Sequence, residues 1–98
     1  MMMMTTTTTI LTQADPKLWP GGIDETISYV HSLGLKFGLY GDRGTLDCAK
    51  MPGAEGHEVA DANYMAKHKV DWYKEDSCYA PGDANSAFEQ YGKMRDAL

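Results

Sequence analysis

Two short segments in which apolar and polar residues alternate, residues 35–40 and 70–76, constrain the fold of this chain most. Side chains alternate between the two faces of a β-strand, so each segment is predicted to be a strand. About thirty residues separate the segments, and they include a predicted helix. Strands joined by such a crossover are expected to be parallel neighbours. The pattern therefore predicts an α/β fold.

Three amphipathic helices are predicted around the two strands. Gly34 is placed just past the end of the first helix, because glycine enters the left-handed backbone region freely. Two strands cannot close a barrel, so the chain is expected to be an internal piece of a larger α/β protein. The helices are predicted over residues 24–33, 57–68 and 84–98, with apolar faces formed by Ile23, Ile27 and Val30, by Val59, Ala62, Met65 and Ala66, and by Phe88, Tyr91, Met94 and Leu98.

Charge and composition exclude several classes of partner. The net charge of −5 argues against binding to nucleic acid or to an anionic membrane surface. No apolar run approaches the roughly 20 residues that span a bilayer. Residues 1–12 begin with four Met and five Thr, show no signal peptide, and are predicted to be a disordered low-complexity leader.

The chain has two cysteines, Cys48 and Cys78, thirty positions apart. No Cys-x-x-Cys motif is present, and the three histidines lack the spacing of metal ligands, so no metal site is predicted. A disulfide, two free thiols and a zinc site that includes His57 are the three alternatives. Spacing alone leaves this choice open.

The second strand ends in charged residues. Trp72, Lys74 and Asp76 share one face of this strand, with the charged pair at its C-terminal end. Catalytic residues of enzymes with alternating strands and helices lie at that end. A lysine beside an aspartate keeps the carboxylate ionised, as a nucleophile requires. A structural ion pair is the alternative. On the first strand, Tyr40 and Asp42 are expected to share a face, opposite to Leu35, Phe37 and Leu39.

Several motifs resemble those of the α-galactosidases, the family 27 glycoside hydrolases, in their order and spacing. They cover residues 13–98 almost completely, and each would be weak alone. The matching motifs are Asp15-Pro16-Lys17, Tyr29 to Lys36, Phe37 to Gly44, Cys48-Ala49, Pro52-Gly53, Gly56-His57-Glu58, Val70-Asp71, Lys74, Asp76, Cys78, and Tyr91 with Met94 to Leu98.

The resemblance implies a fold and a set of roles. The fold would be a partial (β/α)8 TIM barrel, with residues 13–98 forming about two of the eight units after a preceding helix. The enzyme would be a retaining hydrolase of terminal α-galactosyl groups, with Asp76 as the nucleophile. Lys74 would hydrogen-bond the sugar, and Tyr40 and Cys48 would line its pocket. Cys48 and Cys78 would form a disulfide beside it.

The resemblance also implies what is missing. The general acid/base carboxylate would lie beyond residue 98, so the piece alone is expected to be inactive. Glu75 points away from Asp76 and is not a candidate for that acid, and Asp42 is expected to anchor a loop. An α-N-acetylgalactosaminidase specificity and a truncated, non-catalytic carbohydrate-binding or functionless piece are the alternatives. No cofactor is expected, the whole enzyme would be secreted, vacuolar or lysosomal, and the oligomeric state is open.

Overall fold

Two parallel strands form the centre of the structure, as the alternating segments predicted. Strand β3 (Gly38–Asp42) pairs with strand β4 (Trp72–Asp76). The register places Tyr40 beside Lys74 and Asp42 beside Asp76. Parallel strands end at the same edge of a sheet, so the two carboxylates meet at the C-terminal edge of this pair.

The structure, a computed structural model, describes residues 4–6 and 12–98. Helix, strand, helix, strand and helix follow one another in the predicted order from residue 22 onward. Gly34 has a φ of +75° just past the first helix, which confirms its predicted conformation. The remaining elements are β1 (Met4–Thr6), β2 (Thr12–Ala14), α1 (Gly22–Ser32), α2 (Glu58–Lys67) and α3 (Ala84–Ala97).

The first residues of the chain differ in part from the predicted leader. Met4–Thr6 forms a strand that pairs antiparallel with Thr12–Ala14, where disorder was expected over residues 1–12. Residues 1–3 and 7–11 lie outside the described part of the chain, and there the leader remains a prediction.

The core lies where the helices cover one face of the strand pair. Ile23 and Ile27 of α1, Leu39 of β3 and Met65 of α2 are buried in one cluster with Phe37. Burial of side chains of this size stabilises a fold by about 1.5–3 kcal/mol each. Leu35 is 59% exposed, so its predicted place in this face is wrong. The reason is that the strand begins only at Gly38.

Helices α2 and α3 bury part of the faces predicted for them: Ala62, Met65 and Met94 are buried as predicted, and other predicted core residues are exposed. Glu58 is buried with Ala62 and Met65, one helical stripe, so Val59 is 65% exposed. In α3 the buried residues are Gln90 and Met94, and the predicted core residue Phe88 is 77% exposed. Tyr91 and Leu98 are exposed as well. The differences arise because a glutamate and a glutamine are buried in these helices. A pattern of apolar residues predicts both to be outside.

Helix ends and strand starts are held by local hydrogen bonds. Asp83 caps α3 by accepting a hydrogen bond from the Ser86 backbone N–H at 2.9 Å. Asp71, just before β4, accepts from the Phe37 N–H at 2.8 Å and lies 2.7 Å from the His31 ring. This carboxylate thereby links α1 to both strands. Within the described part of the chain, no helix is long and apolar enough to cross a membrane.

Candidate active site

Asp76, the last residue of β4, lies at the centre of the candidate site. Its Oδ2 atom accepts a hydrogen bond of 2.9 Å from the hydroxyl of Tyr40 on the neighbouring strand. Its Oδ1 atom accepts a hydrogen bond of 2.9 Å from the backbone N–H of Ser77. Both carboxylate oxygens are therefore oriented by donors on two different segments.

These donors also set the charge state of Asp76. The Ser77 backbone N–H lowers the pKa of Asp76 most, the Tyr40 hydroxyl comes second, and the Lys74 ammonium adds a smaller effect. The direction agrees with the sequence argument, which had attributed it to Lys74 alone. Asp76 is consequently an ionised carboxylate at neutral pH, as a nucleophile requires.

Tyr40 and Lys74 lie side by side across the strand pair. The Lys74 Nζ atom is 5.8 Å from the centre of the Tyr40 ring, a cation–π distance. Burial and the hydrogen bond to Asp76 raise the pKa of Tyr40, so its hydroxyl remains a donor. The exposed Lys74 ammonium is thus held beside Asp76 with its N–H groups available.

A disulfide closes the site on its loop side. Cys48 and Cys78 are bonded, with their Cα atoms 5.2 Å apart, and the described residues hold no free cysteine. The alternatives of two free thiols and of a zinc site with His57 are therefore wrong for this structure. The Cys48 Sγ atom lies 3.5 Å from Asp76 Oδ2, which places the disulfide beside this carboxylate.

Asp42 anchors both loops that follow the strands, as predicted. It is fully buried, and its Oδ1 atom accepts from the Gly44 N–H at 2.8 Å. Its Oδ2 atom accepts from the Cys78 N–H, also at 2.8 Å. One carboxylate therefore holds the start of the loop after β3 and the loop after β4.

Arg43 was missed by the sequence analysis, although it is the most extensively bonded side chain near the site. It is 3% exposed, and its guanidinium donates to Ser77 Oγ at 2.8 Å, to Gln90 Oε1 at 2.6 Å and to the Pro81 carbonyl at 2.6 Å. Its backbone N–H also donates to the Asp76 carbonyl at 2.9 Å. Arg43 thus supports the Ser77 segment that orients Asp76. An arginine directly after a buried strand-end carboxylate was the available signal.

Comparison with known proteins identifies the family of this site. The Melibiase_2 family model, described as alpha galactosidase A, matches residues 4–98. The chain belongs to the α-galactosidase family. It is 49% identical over 85 residues to a probable alpha-galactosidase of Dictyostelium discoideum, covering 87% of this chain and 22% of that protein. It is 45% identical over 83 residues to alpha-galactosidase 3 of Arabidopsis thaliana, covering 85% of this chain and 18% of that protein.

Solved α-galactosidases share its structure. An α-galactosidase of Saccharomyces cerevisiae solved with raffinose superposes with a TM-score of 0.88 at 30% identity, covering 96% of this chain and 22% of that one. A putative α-galactosidase of Bacteroides fragilis gives a TM-score of 0.91 at 36% identity, covering 96% of this chain and 20% of that one. The family expected from the motifs is confirmed, and the chain spans about a fifth of the length of these relatives.

Glu75 lies behind the candidate site, next to Asp76 in β4. Its side chain lies on the helix-covered face of β4, and its Oε1 atom is buried without a hydrogen-bond partner among the described residues. Burial, and to a lesser extent the nearby Glu58 and Asp42 carboxylates, raise the pKa of Glu75 to about 7. Glu75 lies on the face of β4 opposite to Asp76.

We expect Glu75→Gln to remove a pH dependence of stability. The folded chain keeps the Glu75 proton between pH 4.5 and about 7, where the unfolded chain has released it, so native stability falls as the pH rises through this window. At pH 8 the variant should be more stable by about 1–2 kcal/mol, a value reduced for the partial exposure of this group. Urea unfolding at pH 5 and pH 8 measures the difference in the free energy of unfolding between variant and parent. Glu89→Gln, at an exposed position, is the control. An equal difference between variant and parent at both pH values would contradict the assignment.

Proposed function

We propose that residues 13–98 supply the nucleophile half of the active site of a retaining α-galactosidase. The observation that carries the proposal is the Asp76 carboxylate. It ends a strand in a chain of the α-galactosidase family, is kept ionised, and is oriented by Tyr40 and Ser77. Catalytic carboxylates of glycosidases combine these features.

The first chemical step is attack by an Asp76 oxygen on the anomeric carbon of a terminal α-galactosyl group. The bond to the leaving oxygen breaks, and a second carboxyl outside this segment donates a proton to that oxygen. The product is a galactosyl ester on Asp76. Water, deprotonated by the same second carboxyl, then cleaves the ester and releases galactose with its original anomeric configuration.

The neighbouring residues bind and position the sugar in this proposal. The Lys74 ammonium, exposed and held beside the Tyr40 ring, donates hydrogen bonds to sugar hydroxyls. Tyr40 fixes the Asp76 carboxylate and forms a wall of the pocket. Cys48 forms its edge through the disulfide, 3.5 Å from Asp76 Oδ2.

The strand pair is proposed to be two neighbouring strands of a (β/α)8 barrel. The parallel register of β3 and β4 and the superposition on α-galactosidases support this arrangement. In such a barrel the C-terminal edge, where Asp42 and Asp76 lie, faces the substrate. The polar face with Trp72, Lys74 and Tyr40 would then point toward the barrel interior.

The disulfide favours an oxidising compartment as the location of the whole enzyme. Disulfides persist in oxidising environments and are rare in the cytosol. The proposed enzyme is therefore secreted, vacuolar or lysosomal. Its substrate is an α-galactoside oligosaccharide or glycoconjugate, and the net charge of −5 of this chain argues against nucleic acid as a partner.

A chimera tests the proposed function. Residues 13–98 replace the equivalent segment of the Dictyostelium relative, with which the chain shares 49% identity. We expect hydrolysis of p-nitrophenyl α-galactoside with retention of configuration, measured by absorbance and by NMR of the first-formed sugar. The segment alone should be slower by at least about 100- to 10,000-fold, since it lacks the acid. A folded chimera without activity, or one that inverts configuration, would contradict the proposal.

We expect Tyr40→Phe in the chimera to weaken catalysis and to shift its pH profile. The hydroxyl lowers the pKa of Asp76, so its loss raises that pKa toward the ordinary range. The acidic limb of kcat/KM should therefore move to higher pH, and the maximal rate should fall roughly 10-fold. Tyr29→Phe, an exposed tyrosine on α1, is the control and should change neither. An unchanged acidic limb in Tyr40→Phe would show that the hydroxyl does not act on Asp76.

A further inference from the structure

Four potential metal-donor side chains converge at the C-terminal edge of the strand pair. One donor atom each from Asp42, Cys48, Asp76 and Cys78 lies within 4.8 Å of all the others. Asp42 and Asp76 end the two neighbouring strands, and the two cysteines belong to the loops that follow them. The sequence analysis considered the cysteines only with His57, and the strand register brings them to two carboxylates instead.

The disulfide decides whether these donors are available to a metal. As long as the sulfurs are bonded to each other, neither is a thiolate, and thiolates are the form that binds metals. Cys48 is exposed, so a reductant can reach the bond. A phosphine, for example, breaks the S–S bond and takes an oxygen from water, while each sulfur gains one hydrogen as a thiol.

The spacing of the donor atoms is close to that of a small tetrahedral site. Zinc binds sulfur at about 2.3 Å and carboxylate oxygen at about 2.0–2.2 Å, which separates tetrahedral donors by roughly 3.3–3.8 Å. Reduction moves the sulfurs from bonding distance to van der Waals contact, close to that separation. Cys48 Sγ and Asp76 Oδ2 are already 3.5 Å apart.

The carboxylates retain acceptor capacity for such a metal. Each Asp42 oxygen accepts one backbone N–H, from Gly44 or from Cys78, and a carboxylate oxygen has two lone pairs. Two thiolates make the donor set soft, which favours zinc, cadmium or cobalt(II) over magnesium or calcium.

We propose that reduction of the Cys48–Cys78 disulfide creates a binding site for a thiophilic divalent metal, with Asp42 and Asp76 as the remaining ligands. Each thiol releases its proton to solvent when the metal binds, and the metal ion loses bound waters as the four ligands replace them. The metal site itself is inferred from the positions of the four donor atoms alone. Its consequence rests on the proposed function: a metal on Asp76 would occupy the nucleophile, so the reduced, metal-bound enzyme would be inactive.

Cobalt(II) is the probe for the full 98-residue chain, because its visible spectrum reports coordination number and thiolate ligation. We expect the phosphine-reduced chain to bind one Co²⁺ with tetrahedral bands and a thiolate charge-transfer band, and Zn²⁺ to displace it. The oxidised chain, identical except for the disulfide, should bind none. Circular dichroism of the reduced chain establishes that the fold persists.

Variants distinguish a site with four ligands from binding of Co²⁺ to the two cysteine thiolates alone. Cys48→Ser and Cys78→Ser should each abolish the Co²⁺ site that gives the thiolate charge-transfer band. Asp76→Asn should weaken Co²⁺ binding at least about 10-fold. Asp96→Asn, an exposed carboxylate on α3, should not change it. Asp76 is chosen over Asp42 because Asp42 also holds both loops. No binding by the reduced chain, an octahedral spectrum, or equal affinity in Asp76→Asn would overturn the proposal, whether or not the chimera hydrolyses galactosides.

Discussion

Asp76→Asn in the chimera should lower kcat/KM for α-galactosides by roughly four to six orders of magnitude, as removal of a covalent nucleophile does in other enzymes. The amide is nearly the same size as the carboxylate, and its oxygen can still accept from the Ser77 N–H while its NH2 group donates to the Tyr40 hydroxyl. It is a poor nucleophile, however, so the galactosyl ester cannot form. The measurement is steady-state hydrolysis of p-nitrophenyl α-galactoside. Asp96→Asn, which alters an exposed pair with Arg95, is the matched control and should retain full activity.

An external nucleophile distinguishes a lost nucleophile from a damaged fold. In Asp76→Ala, azide can enter the space left by the carboxylate and attack the anomeric carbon directly. We expect it to restore turnover of an activated α-galactoside and to give the β-galactosyl azide, because the attack occurs opposite the leaving group. Substantial activity in Asp76→Asn, or an α-configured azide product, would contradict the assignment of Asp76.

Arg43→Met should destabilise the 98-residue chain by about 3–5 kcal/mol. The substitution removes donors to Ser77, Gln90 and Pro81, and leaves the last two with buried or half-buried oxygens lacking a partner. A loss of this size is a large part of the roughly 5–15 kcal/mol by which domains are stable. Urea unfolding followed by circular dichroism measures it.

The control for Arg43 is the other arginine of the chain. Arg95→Met removes an exposed side chain whose ion pair, among the described residues, is with its neighbour Asp96, so stability should change by less than about 0.5 kcal/mol. If the two arginine variants lose stability equally, the buried bonds of Arg43 contribute little. The role of Arg43 in holding the Ser77 segment would then be wrong.

Structure could be predicted from the sequence where a residue type or pattern allows few alternative conformations. Alternation predicted both strands, and the crossover between them predicted their parallel pairing, which brings Tyr40 to Lys74. Gly34 was predictable because its positive φ suits glycine almost alone. The nucleophile candidate followed from its place at a strand end, and the family motifs added its role.

The predictions that were wrong concern buried polar residues. Pattern analysis expects glutamate and glutamine outside, so it turned Val59 and Phe88 inward, whereas Glu58 and Gln90 are buried. Gln90 is buried because Arg43 donates to it, a contact between residues 47 positions apart in sequence. Such partners exist only after the chain has folded, and periodicity carries no information about them. Arg43 itself escaped notice for the same reason.

The double anchorage at Asp42 has a consequence for how such enzymes diversify. A single interior carboxylate accepts backbone N–H groups from both loops, at Gly44 and at Cys78, whereas loop residues such as Ala49, Lys50 and Tyr79 are exposed. Substitutions farther along these loops can therefore accumulate without displacing Asp76. The exposed parts of both loops can vary in sequence because the loop starts are fixed from the interior and not by the exposed residues themselves.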